Sequence, residues 1–282
     1  MPIFHKTAAL KNHFSALSKG DSIGMVPTMG ALHLGHISLV KKAFKENNHT
    51  IVSIFVNPTQ FNNAEDLKKY PKTLDADVAL LQKTVSKKII VFAPSAEEIY
   101  NDSIKSNTYD FGPLEKVMEG TFRDGHFDGV GTIVEKLLIL AKPNKAYFGE
   151  KDYQQLQIIK KLVQLKKIPV QIIGCPIVRE ENGLAMSSRN ERLSSELRTE
   201  AAFIYKTLKT AKQKFGTKSA PYIIAWVTEQ FQQNKSLQLE YFNITDANNL
   251  QPFKRKSKNR EYRAFIAVYA DDIRLIDNIS LN

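Results

Sequence analysis

The stretch "SIGMVPTMGALHLGHISLV" (residues 22–40) decides how the chain begins to fold. Its first part, 22–26, is a short apolar run typical of a strand, and apolar residues then recur at helical spacing over 36–46. His33 and His36, two of only six histidines, flank a glycine at this predicted strand–helix junction. The first N–H groups of a helix lack partners within the helix, so such a junction can bind an anion. Either both histidines contact an anion, or one caps the helix and the other lies on the surface.

The same alternation of strand and helix continues through the first two thirds of the chain. We predict strands over 22–26, 50–56, 87–93, 145–149 and 169–174, and helices over 36–46, 74–84, 129–141 and 153–165. This order is typical of an α/β protein with a Rossmann-like parallel sheet covered on both faces. Ligands of such sheets bind beyond the carboxyl ends of the strands. We expect residues 27–36, 57–61 and 149–152 to meet there.

The pattern changes after about residue 176. We predict two helical stretches and then two strand segments of a small antiparallel sheet, at 195–215, 219–233, 237–247 and 262–278. The sequence therefore predicts a catalytic domain over 1–176 and a smaller C-terminal α+β domain over 177–282.

Composition narrows the class of protein. The 282 residues are 43% hydrophobic, enough for a sizeable core, and the lone Cys175 cannot form an internal disulfide. The N-terminus carries no signal-like apolar run, and no window approaches the roughly 20 apolar residues of a membrane helix. We therefore expect a cytoplasmic protein without a membrane partner.

The formal net charge of +11 favours anionic partners, from nucleotides to nucleic acids. The densest basic run, "KRKSKNREYR" (254–263), has one aromatic residue and lies between two predicted strands, so we interpret it as a solvated loop rather than a nucleic-acid-binding arm. No P-loop pattern occurs, and one cysteine with dispersed histidines gives no zinc ligand set.

Two polar segments directly follow predicted strands. "FVNPTQF" (55–61) offers the amides of Asn57 and Gln60 to a hydroxy acid, although the segment alone favours an ordinary Asn-Pro turn. In "FGEKDYQQLQ" (148–157), Asp152 and Gln155 have the spacing of a capping box. That interpretation leaves Lys151 unexplained, because a cation at a helix N-terminus is unfavourable unless an anion binds there too.

Two further segments are loops by composition. "LAMSSRN" (184–190) has two hydroxyls and an arginine that could close over phosphates. "EGTFRDGHFDGV" (119–130) presents Arg123 and His126 as possible anion contacts. Either segment alone is also ordinary loop sequence.

Taken together, these segments resemble the pantothenate synthetase family. The blocks that carry the resemblance are "MVPTMGALHLGH", "SIFVNPTQF", "YPKTLDAD", "FRDGHFDGVGTIV", "FGEKDYQQLQ" and "VREENGLAMSSRNERLS". They are dense over 22–190 and sparser in the C-terminal third. "HLGH" also resembles the signature of the wider nucleotidylyltransferase group, and "MSSRN" resembles the mobile loop of class I aminoacyl-tRNA synthetases.

The resemblance implies a ligase of pantothenate and coenzyme A biosynthesis. Pantoate and ATP would give pantoyl adenylate and pyrophosphate with Mg²⁺, and β-alanine would then give pantothenate and AMP. Such a reaction needs no enzyme nucleophile, because AMP is already a good leaving group. The resemblance also implies a homodimer that acts on small molecules rather than on nucleic acid.

The resemblance assigns roles by position. The catalytic residues would be His33, His36 and Lys151, with His36 as a proton donor. The ATP site would comprise Met29, Gly30, Ala31, Leu32, His33, Leu34, Gly35, His36, Gly149, Glu150, Lys151, Asp152, Val178, Met186, Ser187, Ser188 and Arg189. Pantoate would contact Asn57, Gln60, Arg123, His126 and Gln155, and Gln60 would also contact β-alanine. Asp77 would lie near magnesium, and Leu34 stands where the family usually has another residue.

Two other interpretations compete with this one. Another adenylyl-transferring enzyme, for instance one acting on phosphopantetheine, would keep "HLGH" but has no need of "VNPTQF" together with "GEKDYQQ". A basic nucleic-acid-binding protein would rest only on the net charge and on residues 254–263.

Overall fold

The structure is a computed structural model that describes residues 1–62, 64–86, 88–101 and 103–282. Within these residues, six parallel strands form the first sheet: β1 (Ile3–Phe4), β2 (Ile23–Thr28), β3 (His49–Ile54), β4 (Ile90–Phe92), β5 (Lys145–Gly149) and β6 (Gln171–Cys175). Their order across the sheet is β1-β4-β3-β2-β5-β6. The five predicted strands are confirmed with shifted ends, and Lys87 of the predicted strand 87–93 lies outside the described residues. The two-residue strand β1 was not predicted.

Helices connect these strands: α1 (Thr7–Ser15), α2 (Leu34–Glu46), α3 (Ala64–Lys69), α4 (Leu74–Thr84), α5 (Ala96–Tyr100), α6 (Glu119–Phe122), α7 (His126–Ala141) and α8 (Tyr153–Lys166). The four predicted helices correspond to α2, α4, α7 and α8. The other four are short, and their sequences hold too few turns for a periodic pattern to stand out.

Adjacent residues of the central strands point to opposite faces of the sheet, as a strand requires. Met25 and Ile51 join one hydrophobic cluster with α1, α7 and α8. Their neighbours Val26 and Val52 join a second cluster with α2 and α4. Both faces are therefore covered, which explains why consecutive residues at the centres of these strands, such as Met25–Val26 and Ile51–Val52, are apolar.

A crevice opens between β2 and β5, where the strand order reverses. These strands pair only at Gly24–Lys145 and Met25–Ala146, although β2 continues to Thr28. Pro27, which has no N–H, lies beyond the last pair and so removes no hydrogen bond between the two strands. The divergence leaves a gap at the carboxyl edge of the sheet, where ligands of open α/β sheets bind.

The C-terminal part contains α9 (Ser195–Glu200), α10 (Ala202–Phe215), α11 (Ala220–Gln232) and an antiparallel sheet of β7 (Gln238–Asp246), β8 (Tyr262–Ala270) and β9 (Ile273–Ser280). The prediction of one strand over 262–278 was wrong, because Asp271, with φ of 51°, turns the chain between β8 and β9. Asp tolerates this left-handed conformation better than most residues. The single helix predicted over 195–215 is likewise two helices.

The basic run 254–263 is confirmed as an exposed loop up to Glu261, while Tyr262 and Arg263 already belong to β8. Lys256 lies close to the carbonyl of Phe215 and donates a hydrogen bond to the carbonyl of Lys218. It therefore stabilises the turn between α10 and α11. At least one cation of the basic run 254–263 therefore binds to the protein itself.

The C-terminal sheet has its own core with α10 and α11. Three of its neighbouring apolar residues, Ala247, Leu250 and Phe265, instead join the core beneath the parallel sheet. The two sheets are thus packed together around the crevice. Among the described helices, none has the length and apolar character needed to span a membrane.

Candidate active site

A cavity of about 260 Å³ occupies the gap between the carboxyl ends of β2 and β5. Most of the residues singled out from the sequence line it: Met29, His33, Gly35, His36, Asn57, Gln60, Arg123, His126, Gly149, Lys151, Asp152, Gln155, Val178, Met186, Ser187, Ser188 and Arg189. Gly30, Ala31, Leu32, Leu34, Asp77 and Glu150 do not. Segments that are far apart in the sequence therefore meet as the strand-end rule predicts.

His33 and His36 both cap α2 and both line the cavity, which differs from the interpretation that one of them lies on the surface, while their contact with an anion stays a prediction. The Nδ1 atom of His33 accepts from the Gly35 N–H at 3.1 Å, and Nδ1 of His36 accepts from the His33 N–H at 3.3 Å. Their rings lie 4.1 Å apart between centroids. A side chain at Gly35 would start 2.8 Å from the His33 ring, so the glycine is required for this arrangement.

Both imidazoles are neutral. Burial and the nearby charge of Lys151 lower the pKa of His33 to about 4, and burial followed by His33 and Lys151 lowers the pKa of His36 to about 3. Because Nδ1 accepts a hydrogen bond in each ring, the single proton resides on Nε2. Each ring therefore keeps one N–H donor that is not used in capping the helix.

Asp77 supports the loop before α2. Its carboxylate accepts from the N–H groups of Ala31 at 3.0 Å and Leu32 at 2.7 Å, and it is 2% exposed. Ala31 has a positive φ of 49°, which is unfavourable for a residue with a side chain, whereas Gly30 adopts its φ of 82° without strain. The hydrogen bonds from Asp77 stabilise this conformation. Gly30, Ala31 and Leu32 thus lie behind the cavity and Leu34 is exposed on the outside, and their contact with ATP stays a prediction.

Gln60 ends a 3₁₀ turn after β3 and is held from several sides. Its Nε2 donates to the Met29 sulfur at 2.8 Å, and its Oε1 accepts from Asn57 at 3.2 Å. Asn57 also donates to the Gly129 carbonyl and accepts from Tyr100. Its amide is therefore committed to the protein, so Asn57 orients Gln60, which differs from the expected contact with pantoate.

Arg123 and His126 form a second support beneath Gln60. His126 Nδ1 lies 2.8 Å from the Gln60 carbonyl, to which it donates, and its Nε2 accepts from Arg123 at 3.0 Å. Burial, with the Arg123 charge, lowers the pKa of His126 to about 4, so the ring is neutral. Both ring nitrogens are used within the protein, so His126 supports Gln60 in this structure, and its contact with pantoate stays a prediction.

Lys151 lies in a 3₁₀ turn, Glu150–Asp152, that leads into α8. Its ammonium is 3.7 Å from the Asp152 carboxylate and lines the cavity. The predicted capping box is wrong, because the Asp152 side chain makes no capping hydrogen bond. Glu150 points away and pairs with Arg263 at 3.3 Å. The amide of Gln155 lines the cavity and makes no hydrogen bond to any described residue.

The segment after the parallel sheet folds back over the start of α2. The Met186 N–H donates to the Val178 carbonyl at 3.0 Å, which places these two residues side by side. Ser188 donates to the Ala31 carbonyl at 3.1 Å, and Arg189 pairs with Asp66 at 2.9 Å. The segment thus forms one wall of the cavity.

Several lining residues could not be identified from the sequence. Glu119, 7% exposed, accepts two hydrogen bonds from Arg274 and one from Tyr241. Burial opposes its ionisation, but the bonds and charge of Arg274 outweigh this and lower the pKa of Glu119 to about 2. Phe265 and Asn278 also line the cavity from the C-terminal sheet. No local pattern marks these residues, because their proximity arises from the packing of the two sheets.

A polar chamber of about 440 Å³ adjoins the cavity and shares Glu119, Arg123, Lys151, Asp152, Ser187, Arg189 and Asp277 with it. Six cations from five segments of the chain line it: Lys69, Arg123, Lys151, Arg189, Arg192 and Arg274. Six carboxylates line it as well, from Glu65, Asp66, Glu119, Asp152, Asp272 and Asp277, so the formal charges of the lining balance.

Comparison with known proteins agrees with this geometry. Residues 2–280 match the model of the family described as pantoate-beta-alanine ligase. A pantothenate synthetase of Christiangramia forsetii is 58% identical over 265 residues, which cover 94% of this chain and 93% of the relative.

Two solved structures are similar over almost their whole length. The crystal structure of pantothenate synthetase from Thermus thermophilus has a TM-score of 0.91 at 38% identity and covers 100% of this chain and 99% of its own. That of pantoate-beta-alanine ligase from Francisella tularensis, complexed with beta-gamma ATP and beta-alanine, has a TM-score of 0.83 at 39% identity and covers 100% of this chain and 98% of its own.

Proposed function

The chain belongs to the pantoate–β-alanine ligase family, and we propose that it makes pantothenate through a pantoyl adenylate. The observation that carries this mechanism is the pair of neutral imidazoles at the start of α2, which face a cavity flanked by Lys151 and Arg189. This arrangement can stabilise negative charge on phosphates without supplying a nucleophile.

In the first step, a pantoate carboxylate oxygen attacks the α-phosphorus of ATP. The bond to the bridging oxygen breaks, and pyrophosphate leaves. We assign the Nε2–H groups of His33 and His36 to the phosphate oxygens that gain charge, with Lys151 and Arg189 beside the β- and γ-phosphates. Fixed donors in a buried site stabilise such charge without reorganisation.

Pantoate occupies the part of the cavity that is lined by amide side chains on one side and by apolar side chains on the other. Gln60 and Gln155 are assigned to its hydroxyl and carboxylate groups. The aromatic and aliphatic side chains behind them suit the two methyl groups of pantoate: Phe55, Phe127, Val130, Val134 and Phe148. Asn57, Arg123 and His126 hold Gln60 in place from below.

In the second step, the neutral amine of β-alanine attacks the acyl carbon of the adenylate. The bond from that carbon to the phosphate oxygen breaks, AMP leaves with the electron pair, and the amine nitrogen loses one proton to solvent as the amide forms. Gln60 is assigned to both acyl substrates, so that the amine approaches the carbon that pantoate presented. Holding two reactants in this way replaces an encounter in solution with a positioned contact.

We propose that Mg²⁺ enters together with ATP. No group of three or more potential ligands occurs among the described His, Cys, Asp and Glu side chains, and the oxygens of Asp77 are used by backbone N–H groups. Mg²⁺ commonly binds through substrate phosphates and water, which fits this donor set. When bound, it would neutralise phosphate charge beside Lys151 and Arg189.

We also propose that residues 177–282 act as a lid on residues 1–176, and that the enzyme is a cytoplasmic homodimer. The separate core around α10 and α11 supports the division. Exposed Ile139 and Leu165, on the neighbouring helices α7 and α8, support a surface for a second copy. Light scattering behind size exclusion gives the mass in solution and would contradict the dimer by a value near 31.9 kDa.

The function is tested by incubating the protein with ATP, Mg²⁺, pantoate and β-alanine and analysing the products. We expect AMP, pyrophosphate and pantothenate in equal amounts, and pyrophosphate release from ATP and pantoate before β-alanine is added. ADP and orthophosphate would contradict the adenylate mechanism.

A further inference from the structure

A buried amide of the C-terminal sheet reaches the turn that carries Lys151. Asn278 lies on β9, is 1% exposed and donates through Nδ2 to two successive carbonyls. The distances are 2.9 Å to the Glu150 oxygen and 2.8 Å to the Lys151 oxygen. Both hydrogens of one amide group therefore hold the main chain on either side of the Lys151 Cα.

The direction of this amide is fixed by its surroundings. Its Oδ1 accepts from the Arg263 guanidinium, which leaves Nδ2 to face the two carbonyls. Its own N–H donates to Asp277 at 2.7 Å, and Asp277 in turn accepts two hydrogen bonds from Arg179. A buried polar group with all its partners supplied is rigid, because any rotation would leave a donor unpaired.

We propose that Asn278 is a positioning residue for the nucleotide site, acting through the Lys151 turn. The turn determines where the lysine side chain begins, and the lysine lies only partly exposed in the wall of the cavity. Holding the turn from β9 therefore sets the direction in which the ammonium meets the phosphates. This inference rests on the role proposed above for Lys151.

If Asn278 positions the Lys151 turn, ATP binding also depends on how β9 packs against the parallel sheet. The hydrogen bond between Asn278 and the Lys151 carbonyl joins residues that are 127 positions apart in the sequence. Any shift of β9 relative to the parallel sheet breaks two hydrogen bonds to that turn. We therefore expect loss of the amide to weaken ATP binding even when the fold is intact.

The test is a double-mutant cycle on ATP affinity and on the single-turnover rate of pyrophosphate release. Asn278→Asp keeps the size and the acceptor for Arg263 but presents an oxygen to both carbonyls, and Asn278→Ala removes the amide without adding charge. Each is made in the native chain and in Lys151→Ala. Gln251→Ala is the control, because its amide also joins the two parts, through the Pro113 carbonyl at 3.3 Å.

We expect both Asn278 variants to weaken ATP binding or slow the first step about tenfold in the native chain, and less than about twofold in Lys151→Ala. Gln251→Ala should change neither. The same factor in both backgrounds, or no effect of either Asn278 variant, would overturn the inference while leaving the role of Lys151 intact. If Lys151→Ala changes neither quantity, the role proposed for Lys151 fails, and this inference fails with it.

Discussion

The starts of α2 and α7 both bring histidines into one cavity, and their imidazoles carry opposite tautomers. At α2, the Nδ1 atoms of His33 and His36 accept backbone N–H groups, so the protons lie on Nε2. At α7, His126 donates through Nδ1 to the Gln60 carbonyl and accepts from Arg123 at Nε2. Burial keeps all three rings neutral.

This difference distinguishes histidines that can contact the reacting substrate from one that only positions another residue. Neither burial nor a lowered pKa distinguishes the two regions, because both are found in both. The distinguishing feature is whether a donor remains once the protein's own hydrogen bonds are made. His33 and His36 each keep one free ring N–H donor, whereas His126 keeps none. Only the two histidines of α2 can therefore donate a hydrogen bond to a substrate oxygen that gains negative charge.

The largest expected effect is on the α2 pair. His36→Ala removes a fixed donor from the phosphate site and should lower the overall rate by about 10²–10³, and His33→Ala should act in the same direction. Steady-state assays with all three substrates measure this loss. If either variant retained more than about half the native rate, the donor role of that ring would be wrong.

A smaller loss of activity is expected from substitutions in the proposed pantoate-binding site. Gln60→Ala and Gln155→Ala each remove a polar partner that lines the cavity, at a cost of about 1–3 kcal/mol, which should raise the pantoate KM or lower kcat/KM by roughly 5–150-fold. The KM for ATP should change little. Unchanged dependence on pantoate concentration in both variants would contradict the assignment.

A still smaller effect is expected at α7. His126→Gln should lower kcat/KM for pantoate about tenfold or less, because it acts only through the position of Gln60, and losing a buried hydrogen bond costs about 1 kcal/mol. Gln60→Ala should mask it, so that the double variant is no worse than Gln60→Ala alone. A loss as deep as that of His36→Ala would erase the proposed distinction between the two regions.

The two regions should behave alike in their effect on stability. The folded pKa values of about 4, 3 and 4 for His33, His36 and His126 lie below the ordinary 6.5. Below pH 6.5 the unfolded chain therefore binds protons that the folded chain does not. The free energy of unfolding should fall as the pH is lowered from about 6.5 towards 4, by up to about 1.4 kcal/mol per pH unit for each ring.

Urea unfolding at pH 7, 6 and 5 measures this slope, and His126→Gln should make it shallower. Glu119 contributes in a lower window, since its pKa of about 2 keeps it ionised until the pH falls well below the 4.5 of an ordinary glutamate. A stability that does not change between pH 7 and pH 5 would contradict the buried, neutral state of these histidines.

Sequence patterns identified most of the cavity because strand ends are local features. The segments 27–36, 57–61 and 149–152 each follow an apolar run, and parallel strands bring such ends to one edge. That argument needs only the order of strands and helices. It therefore predicts that His33, Gln60 and Lys151 lie at this edge.

The remaining features depend on packing or on hydrogen-bond direction, which no local pattern carries. Glu119 and Asn278 join the site through the C-terminal sheet, and the turn at Asp271 interrupts a segment that is apolar on both sides. The spacing of Asp152 and Gln155 suggested a capping box that the 3₁₀ turn replaces. Likewise, the sequence shows that a histidine is present but not which nitrogen holds its proton.

Separating the two half-reactions tests the central claim most directly. His36→Ala and His126→Gln are each given ATP with pantoate, followed by pyrophosphate release, and preformed pantoyl adenylate with β-alanine, followed by pantothenate formation. We predict that His36→Ala loses about 10²–10³ in the first reaction and less than about tenfold in the second, since the β- and γ-phosphates are absent from the second. Equal losses in both reactions, with a lowered melting temperature, would contradict the account and return His36 to a purely structural role.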